Sequence, residues 1–386
     1  VVDGHRVVIL SFEPPSNHPA RFKGEAYVRV GSYTKKLKDH PEKERALWRC
    51  FDHMSFEAAY AVEDLDDDEV LRLLDYSSYF TLLSRPLPAD KQALLAALVA
   101  DGVATKAPGG RWAITNLGAT LFAKTLEEFP RLRRKAVRVI VYKGNDRLNT
   151  VKEYVEVRGY ATGFESLIGL INGLVPSNEV IGQALRRPVP MYPELAVREL
   201  VANALVHQDF EIRGTGPKVE VFADRLEVSN PGRPLVETSR FLDAPPRSRN
   251  ETLASLMRRI GVCEERGSGV DKVVSQCELF QLPAPLFRVN GEATEAVLFA
   301  HRPLSKMDDA DRLRACYLHA CLKYVSHSFL TNTSLRERFG LPEKSIAMAS
   351  RMIRDAVDAG MIVPVDPGAS RRNMKYQPFW ATVVND

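Results

Sequence analysis

One helical run constrains this chain more than any other feature. Over Pro193–Asp209 the apolar and polar residues separate at the period of an α-helix. At about 100° per residue, Val197, Val201, Ala204 and Leu205 share one face, while Glu199, Asn203 and His207 follow at i, i+4 and i+8 on another. The spacing has a chemical use. The amide oxygen of Asn203 suits a hard Mg²⁺ ion that also holds phosphate oxygens, and Glu199, one turn earlier, is placed to orient or deprotonate an attacking water. A solvated helix face produces the same row, so the next hundred residues of chain have to decide between the two.

Those residues have an order. Lys218–Phe222 and Leu226–Asn230 read as a β-hairpin, with Val219, Val221, Leu226 and Val228 alternating inward, and Asn230-Pro231-Gly232 ends the second strand. A turn-rich loop over 243–250 leads into a helix from about Thr252 to Ile260, for which Asn250 is the expected N-cap. Then Glu264-Glu265-Arg266-Gly267-Ser268-Gly269-Val270 opens another helix. A Gly-x-Gly at such an entry lets backbone N–H groups and the positive helix end approach a phosphate. His207-Gln208-Asp209 has no third metal ligand close in sequence, so His207 is assigned to the C-terminal cap and packing of its helix.

These three segments, Glu199-Leu-Val-Ala-Asn203-Ala with His207, Asp224-Arg-Leu-Glu-Val-Ser-Asn-Pro-Gly232 and Glu265-Arg-Gly-Ser-Gly-Val270, resemble the divergent GHKL ATPase domain (HATPase-like, RecG-like C-terminal) found after Schlafen/AlbA-type domains. Proteins of that architecture are predicted transcriptional regulators. The resemblance implies ATP and Mg²⁺ as ligands, Glu199 as the catalytic glutamate, Asn203 as the magnesium ligand, and Gly267 and Gly269 as phosphate-lid glycines. Asn230 and Gly232 would then border the base. One departure separates binding from hydrolysis. Where that family reads adenine with the aspartate of a D-x-G-x-G motif, this chain has Ser229-Asn230-Pro231-Gly232-Arg233-Pro234, without the carboxylate. Weak ATPase activity is the most that is expected, and helicase activity is not, because no intact P-loop is present.

At 386 residues the chain exceeds one typical core of about 150 residues. The expected fold is a multidomain α+β arrangement. Residues 1–50 form the end of an AlbA/Schlafen-like α/β domain, 51–130 a winged-helix-like connector, 131–303 a GHKL-type α/β sandwich binding ATP, and 304–386 a winged helix. The first assignment rests on Pro19–Thr34, which resembles the closing strands of Schlafen/AlbA-type domains. Because the chain opens at Val1 and strand-like Val7–Phe12 comes next, further sequence is expected upstream, where the acidic residues of nuclease-active members would lie.

In the connector, Asp64–Leu74, Ala89–Asp101 and Asn116–Thr125 are helix candidates, with a Gly109-Gly110 turn before Arg111–Ile114. A purely packing role serves that segment equally well. Gly118–Thr125 is a near miss to a P-loop: Ala123 stands where glycine is required, and the segment follows a turn rather than a strand.

Charge sharpens the C-terminal assignment. From His301 to Asp386 there are thirteen Lys/Arg against nine Asp/Glu, which accounts for the whole net charge of +4. Thr331–Gly340 reads as a capped helix, Glu343–Ala359 as a longer one, and Met361–Val365 with Lys375–Phe379 as the strands of a wing. In a winged helix the second of these helices can enter a DNA major groove while the wing tip meets phosphate. Lys344, Arg351, Arg354, Arg371, Arg372 and Lys375 are the candidate DNA contacts, diluted by Asp355 and Asp358. Protein contact is the other use of such a module. Cys50, Cys263, Cys277, Cys316 and Cys321 show no C-x-x-C or zinc-like spacing and read as reduced thiols. No apolar run reaches the roughly 18 residues of a membrane span, and the expected location is cytoplasmic.

Three readings remain. The first is an ATP-binding, DNA-binding regulator in which nucleotide controls domain arrangement or homodimerisation. The second is a nucleic-acid-cleaving defence protein whose nuclease residues lie upstream, and the third is a noncatalytic scaffold with a degenerate ATPase fold.

Overall fold

A computed structural model describes residues 19, 21–52, 55–107, 109–181, 186–263, 269–370 and 372–382. The strand expected at Val7–Phe12, Gly267 and Arg371 lie outside the described residues. The protein is mixed α+β, with one six-stranded mixed sheet and several small ones.

The chain begins with an antiparallel meander of β1 (Arg21–Phe22), β2 (Glu25–Val30) and β3 (Tyr33–Lys36), followed by α1 (Pro41–Asp52). Next come β4 (Tyr60–Leu65), α2 (Asp67–Leu73), α3 (Tyr76–Leu82), α4 (Lys91–Ala100), β5 (Ala104–Lys106), β6 (Trp112–Thr115) and α5 (Asn116–Phe122). The helix expected from Asp64 starts at Asp67, because residues 60–65 pair with β6 as a strand and Asp66 caps the helix through a capping box with Glu69. The P-loop-like segment begins inside α5 and runs past its end at Phe122; strand β6, not the expected turn, leads directly into this helix because Thr115 caps it. A Cβ on Gly118 would stand 2.0 Å from the Val103 carbonyl oxygen, so this glycine serves close helix–strand packing.

The large sheet runs β13-β14-β12-β11-β7-β8, and its members are β7 (Val137–Tyr142), β8 (Thr150–Glu156), β11 (Lys218–Val221), β12 (Arg225–Pro231), β13 (Leu286–Asn290) and β14 (Ala293–Phe299). Among the described residues only β7 and β11 pair in parallel, and the crossover between them carries β8, α6 (Tyr160–Leu174), the hairpin β9 (Ser177–Ile181) and β10 (Arg186–Pro190), and α7 (Glu194–His207). Helices α8 (Glu251–Arg259) and α9 (Gly269–Leu279) come after β12. Val219, Val221, Leu226 and Val228 point inward as their alternation requires, and meet Val197, Val201 and Leu205 of α7 in one apolar core. That core continues without interruption into Leu73, Leu95, Ile114 and Phe122 of the preceding segment.

The sheet's other face buries charge beside apolar Ile140 and Val297. Glu220 and Glu227, buried and directly opposite each other, are bridged by Arg147, whose Nε donates to Glu220 at 2.7 Å and whose Nη2 reaches both carboxylates.

A second core holds the C-terminal unit: α10 (Asp309–Val325), α11 (Asn332–Arg338), α12 (Ile346–Asp358), and the antiparallel pair β15 (Ile362–Pro364) and β16 (Tyr376–Pro378). Thr331 and Ser334 form the capping box of α11. The long helix expected from Glu343 begins as a 3-10 turn over Glu343–Ser345 and becomes α-helical at Ile346. Val274 of α9 belongs to this second core, whereas its neighbour Val273 and Cys277 belong to the first. Among the described residues, no helix is long and apolar enough to cross a membrane.

Candidate nucleotide site

Helix α7 is buried on nearly all sides. Ala196, Val197, Leu200, Val201, Ala204 and Leu205 are almost inaccessible, and so is Glu199 at 6% exposure. That figure decides against a solvated polar face: the stripe of Glu199 and Asn203 is covered by α9. A Cβ on Gly269 would stand 2.9 Å from Glu199 Oε2 and 3.4 Å from Asn203 Nδ2. Any larger residue would have to displace the carboxylate or tilt the helix. The N-terminal end of α9, where unpaired N–H groups carry partial positive charge, thus abuts the Glu199 carboxylate. Lys272, one turn into α9, places Nζ 3.5 Å from Glu199 Oε1.

The far end of α7 is closed by a residue that sequence placed elsewhere. Asn250 stands at the N-cap position of α8 but makes no side-chain cap there. Its Nδ2 donates instead to the carbonyls of Val206 and Gln208, at 2.8 Å each, satisfying the last turn of α7. The N-terminal turn of α8 is capped by Glu57, which accepts from the backbone N–H groups of Leu253 at 2.5 Å and Thr252 at 3.3 Å. His207 is a packing residue with no capping bond among the described residues. Burial, and then the Arg249 charge, hold its imidazole below its ordinary pKa, which favours the neutral ring.

The end of β12 docks against this same end of α7. Asn230 shares the inward face with Leu226 and Val228, is buried, and donates from Nδ2 to the Pro231 carbonyl at 3.1 Å. The Pro231 carbonyl also accepts from Asp209 N at 2.8 Å. Gly232 has φ +101°, and a Cβ on it would stand 2.7 Å from Asp209 Cβ, so both conformation and space require glycine. His207, the last residue of α7, lies roughly 6 Å along the helix axis from Asn203 at 1.5 Å per residue, and Asp209 follows beyond the extended Gln208.

Glu199, Asn203 and Gly269 therefore come into direct contact, with Asn230 and Gly232 at the helix end beyond them. Lys272 and the switched roles of Asn250 and Glu57 were missed. Lys272 could have been found by carrying the helix pattern one turn past Gly269, whereas nothing local marks Glu57 as a cap. Asp271, in the same turn, has its carboxyl pushed up to about 6 by burial, and its Oδ1 has no hydrogen-bond partner. Among the described residues, no group of three or more His, Cys, Asp or Glu could hold a metal ion. Burial pushes the Cys277, Cys316 and Cys321 thiols up to about 12, which leaves them protonated and unreactive.

In the C-terminal unit, α12 buries Ala349, Met352, Ile353 and Ala356 and exposes Arg351 and Arg354 beside Asp355 and Asp358. Lys344, Arg372 and Lys375 are also exposed, with Lys375 Nζ 5.6 Å from the centroid of the Phe329 ring.

Residues 214–298, which supply Gly269 to this geometry, match a family model described as "Putative ATP-dependent DNA helicase recG C-terminal" (HATPase_c_4). The match covers less than a quarter of the chain and spans β11, β12, α8, α9, β13 and nearly all of β14. Gly232 and Gly269 lie inside it, while Glu199 and Asn203 lie just before it. No curated protein sequence matches the chain. The crystal structure of the DIP2311 protein from Corynebacterium diphtheriae is similar in fold, with a TM-score of 0.51 and 18% identity over 92% of this chain and 70% of that one.

Proposed function

We propose that the protein is an ATP-binding, DNA-binding regulator, with a GHKL-like nucleotide domain over 131–303 and a winged helix over 304–386. One observation carries the nucleotide half: Gly269, inside the segment similar to the HATPase_c_4 family, lies directly on Glu199 and Asn203, which lie outside it. The meeting of two motifs far apart in sequence supports the reading. Asn203 would offer its amide oxygen to a magnesium ion whose other ligands would be phosphate oxygens and water, a donor set suited to Mg²⁺. Glu199 would orient water once freed from Lys272. A phosphate reaching Asn203 requires the first turn of α9 to withdraw. Gly267, outside the described residues, keeps the lid role that the resemblance implies.

The departure at Ser229-Asn230-Pro231 favours binding over turnover: Asn230 already donates to Pro231 and presents no carboxylate to an adenine amino group. The winged helix would contact DNA through Lys344, Arg351, Arg354, Arg371, Arg372 and Lys375. Support comes from α12, where Arg351 and Arg354 are exposed and unpaired among the described residues. Residues 1–50, as the end of an AlbA/Schlafen-like domain, and the winged-helix-like connector over 51–130 complete the reading.

A noncatalytic scaffold is the second reading, favoured by the Lys272–Glu199 ion pair and the tight seat of Gly269. Isothermal titration with ATP and Mg²⁺ separates the two. Wild type is expected to bind and Asn203→Ala to lose most of that affinity. No heat from well-folded wild type would leave the scaffold.

A further inference from the structure

Helix α9 has its two ends in different parts of the protein. Its first residue, Gly269, lies on Glu199 and Asn203. Near its other end, Glu278 meets both α10 and α11: each carboxylate oxygen is 3.0 Å from His319 Nδ1, and Oε1 is 3.3 Å from Arg338 Nε. His319 Nε2 lies 3.2 Å from Ser334 Oγ, and Arg338 Nη2 donates to the Leu282 carbonyl at 2.6 Å. The Arg338 side chain is 1% exposed and that of His319 4%, so both partners of Glu278 are buried. An acidic residue in the last turn of a helix opposes the helix dipole, and Glu278 is therefore explained by its partners rather than by α9 itself. Between the ends, Val273 and Cys277 fill the first core and Val274 the second. At 1.5 Å per residue the helix is about 16 Å long and has no glycine or proline after Gly269 to bend it.

We propose that α9 is a rigid coupling element. Displacement of its first turn from Glu199 and Asn203 shifts Glu278 against His319 and Arg338, and so alters the C-terminal unit. Bound nucleotide as the trigger rests on the proposed ATP-binding function, but the mechanical link does not. Coupling of this kind needs a contiguous element whose position both sites bias, and α9 touches both.

Hydrogen exchange on the full chain tests the link without any ligand. Gly269→Ala inserts a methyl at the Glu199 carboxylate and is expected to speed amide exchange in Ala315–Cys321 of α10 and Ser334–Arg338 of α11 by roughly fivefold or more, a typical coupling factor. Exchange in α4 should stay unchanged. Faster exchange confined to α7 and the start of α9, or spread equally into α4, would overturn the proposal. Should Gly269→Ala fail to fold, Glu199→Gln perturbs the same end without added bulk and is read the same way.

A second arm adds Mg²⁺ and ATP to wild type and Glu278→Gln. Bound nucleotide should change exchange at α11 in wild type and not in the variant. An equal change in both would overturn the proposal. No nucleotide binding at all would refute the nucleotide reading, leaving the Gly269→Ala result to decide the role of α9.

Discussion

Glu57 and Leu253 are joined across 196 positions of chain, a carboxylate oxygen of the first accepting the backbone N–H of the second at 2.5 Å. A helix that begins beside the candidate site is thus finished by a residue from the preceding segment, and Asn250 is released to close α7. Glu57→Ala is expected to cost about 1–2 kcal/mol, the range for losing a cap whose donors are buried. Urea unfolding should show a lower midpoint at unchanged slope. An unchanged midpoint would mean that solvent replaces the cap.

Gly232 and Gly291 offer a matched comparison. Both have positive φ, but a Cβ at Gly291 meets nothing within 4 Å, while one at Gly232 is 2.7 Å from Asp209 Cβ. Gly291→Ala should cost about 1 kcal/mol, the conformational term alone. Gly232→Ala should cost about 3 kcal/mol or more, because overpacking adds to it. Thermal unfolding of the two variants would give equal shifts if the contact with Asp209 did not matter.

Asp271 sets a pH dependence with a definite sign. Its ordinary pKa is 3.8, and burial raises it to about 6 in the folded chain. Between those values the folded state binds more protons than the unfolded one, so stability falls as pH rises through that window and stays low above it. Asp271→Asn should therefore stabilise the protein by about 1–2 kcal/mol at about pH 7.5, after allowance for solvent screening of a half-buried group. At about pH 4 the gain should nearly vanish. Denaturation at both pH values checks this, and an equal gain at each would refute it.

The proposed DNA contacts predict a salt signature. If Arg351 and Arg354 contact phosphates, replacing either with alanine should lower the slope of log affinity against log salt concentration by about 0.9. Replacing Leu148, exposed in the loop between β7 and β8 and outside the C-terminal unit, should leave the slope unchanged. Fluorescence anisotropy with duplex DNA over a salt series measures both.

Much of this was legible because it is written in local periodicity. The alternation of Val219, Val221, Leu226 and Val228 marked the central hairpin, and the spacing of Val197, Val201 and Leu205 marked α7. Strand β8 was not legible: as the sheet's edge it exposes Val151 and Val155, so no apolar alternation distinguishes Thr150–Glu156. The short α3, Tyr76–Leu82, and strand β4 were missed as well, the latter containing Asp64 at φ +63°. At the site, the types and spacing of Glu199 and Asn203 were readable, but their burial was not. That depends on Gly269, which reaches them only through the packing of α9 on α7.

The parallel pairing of β7 with β11 carries a consequence for the order in which the chain acquires structure. Lys218 lies opposite Arg138, and everything between them, including α6 and α7, has to be laid across the sheet before that pair can close. Such non-local pairing is entropically slow, and the helix bearing Glu199 and Asn203 belongs to the closing loop itself. On a ribosome β7 and β8 would emerge before β11 and wait without their parallel neighbour. The protein's fold and its candidate site would then mature in the same late step, so a nascent chain stalled before Lys218 would possess neither.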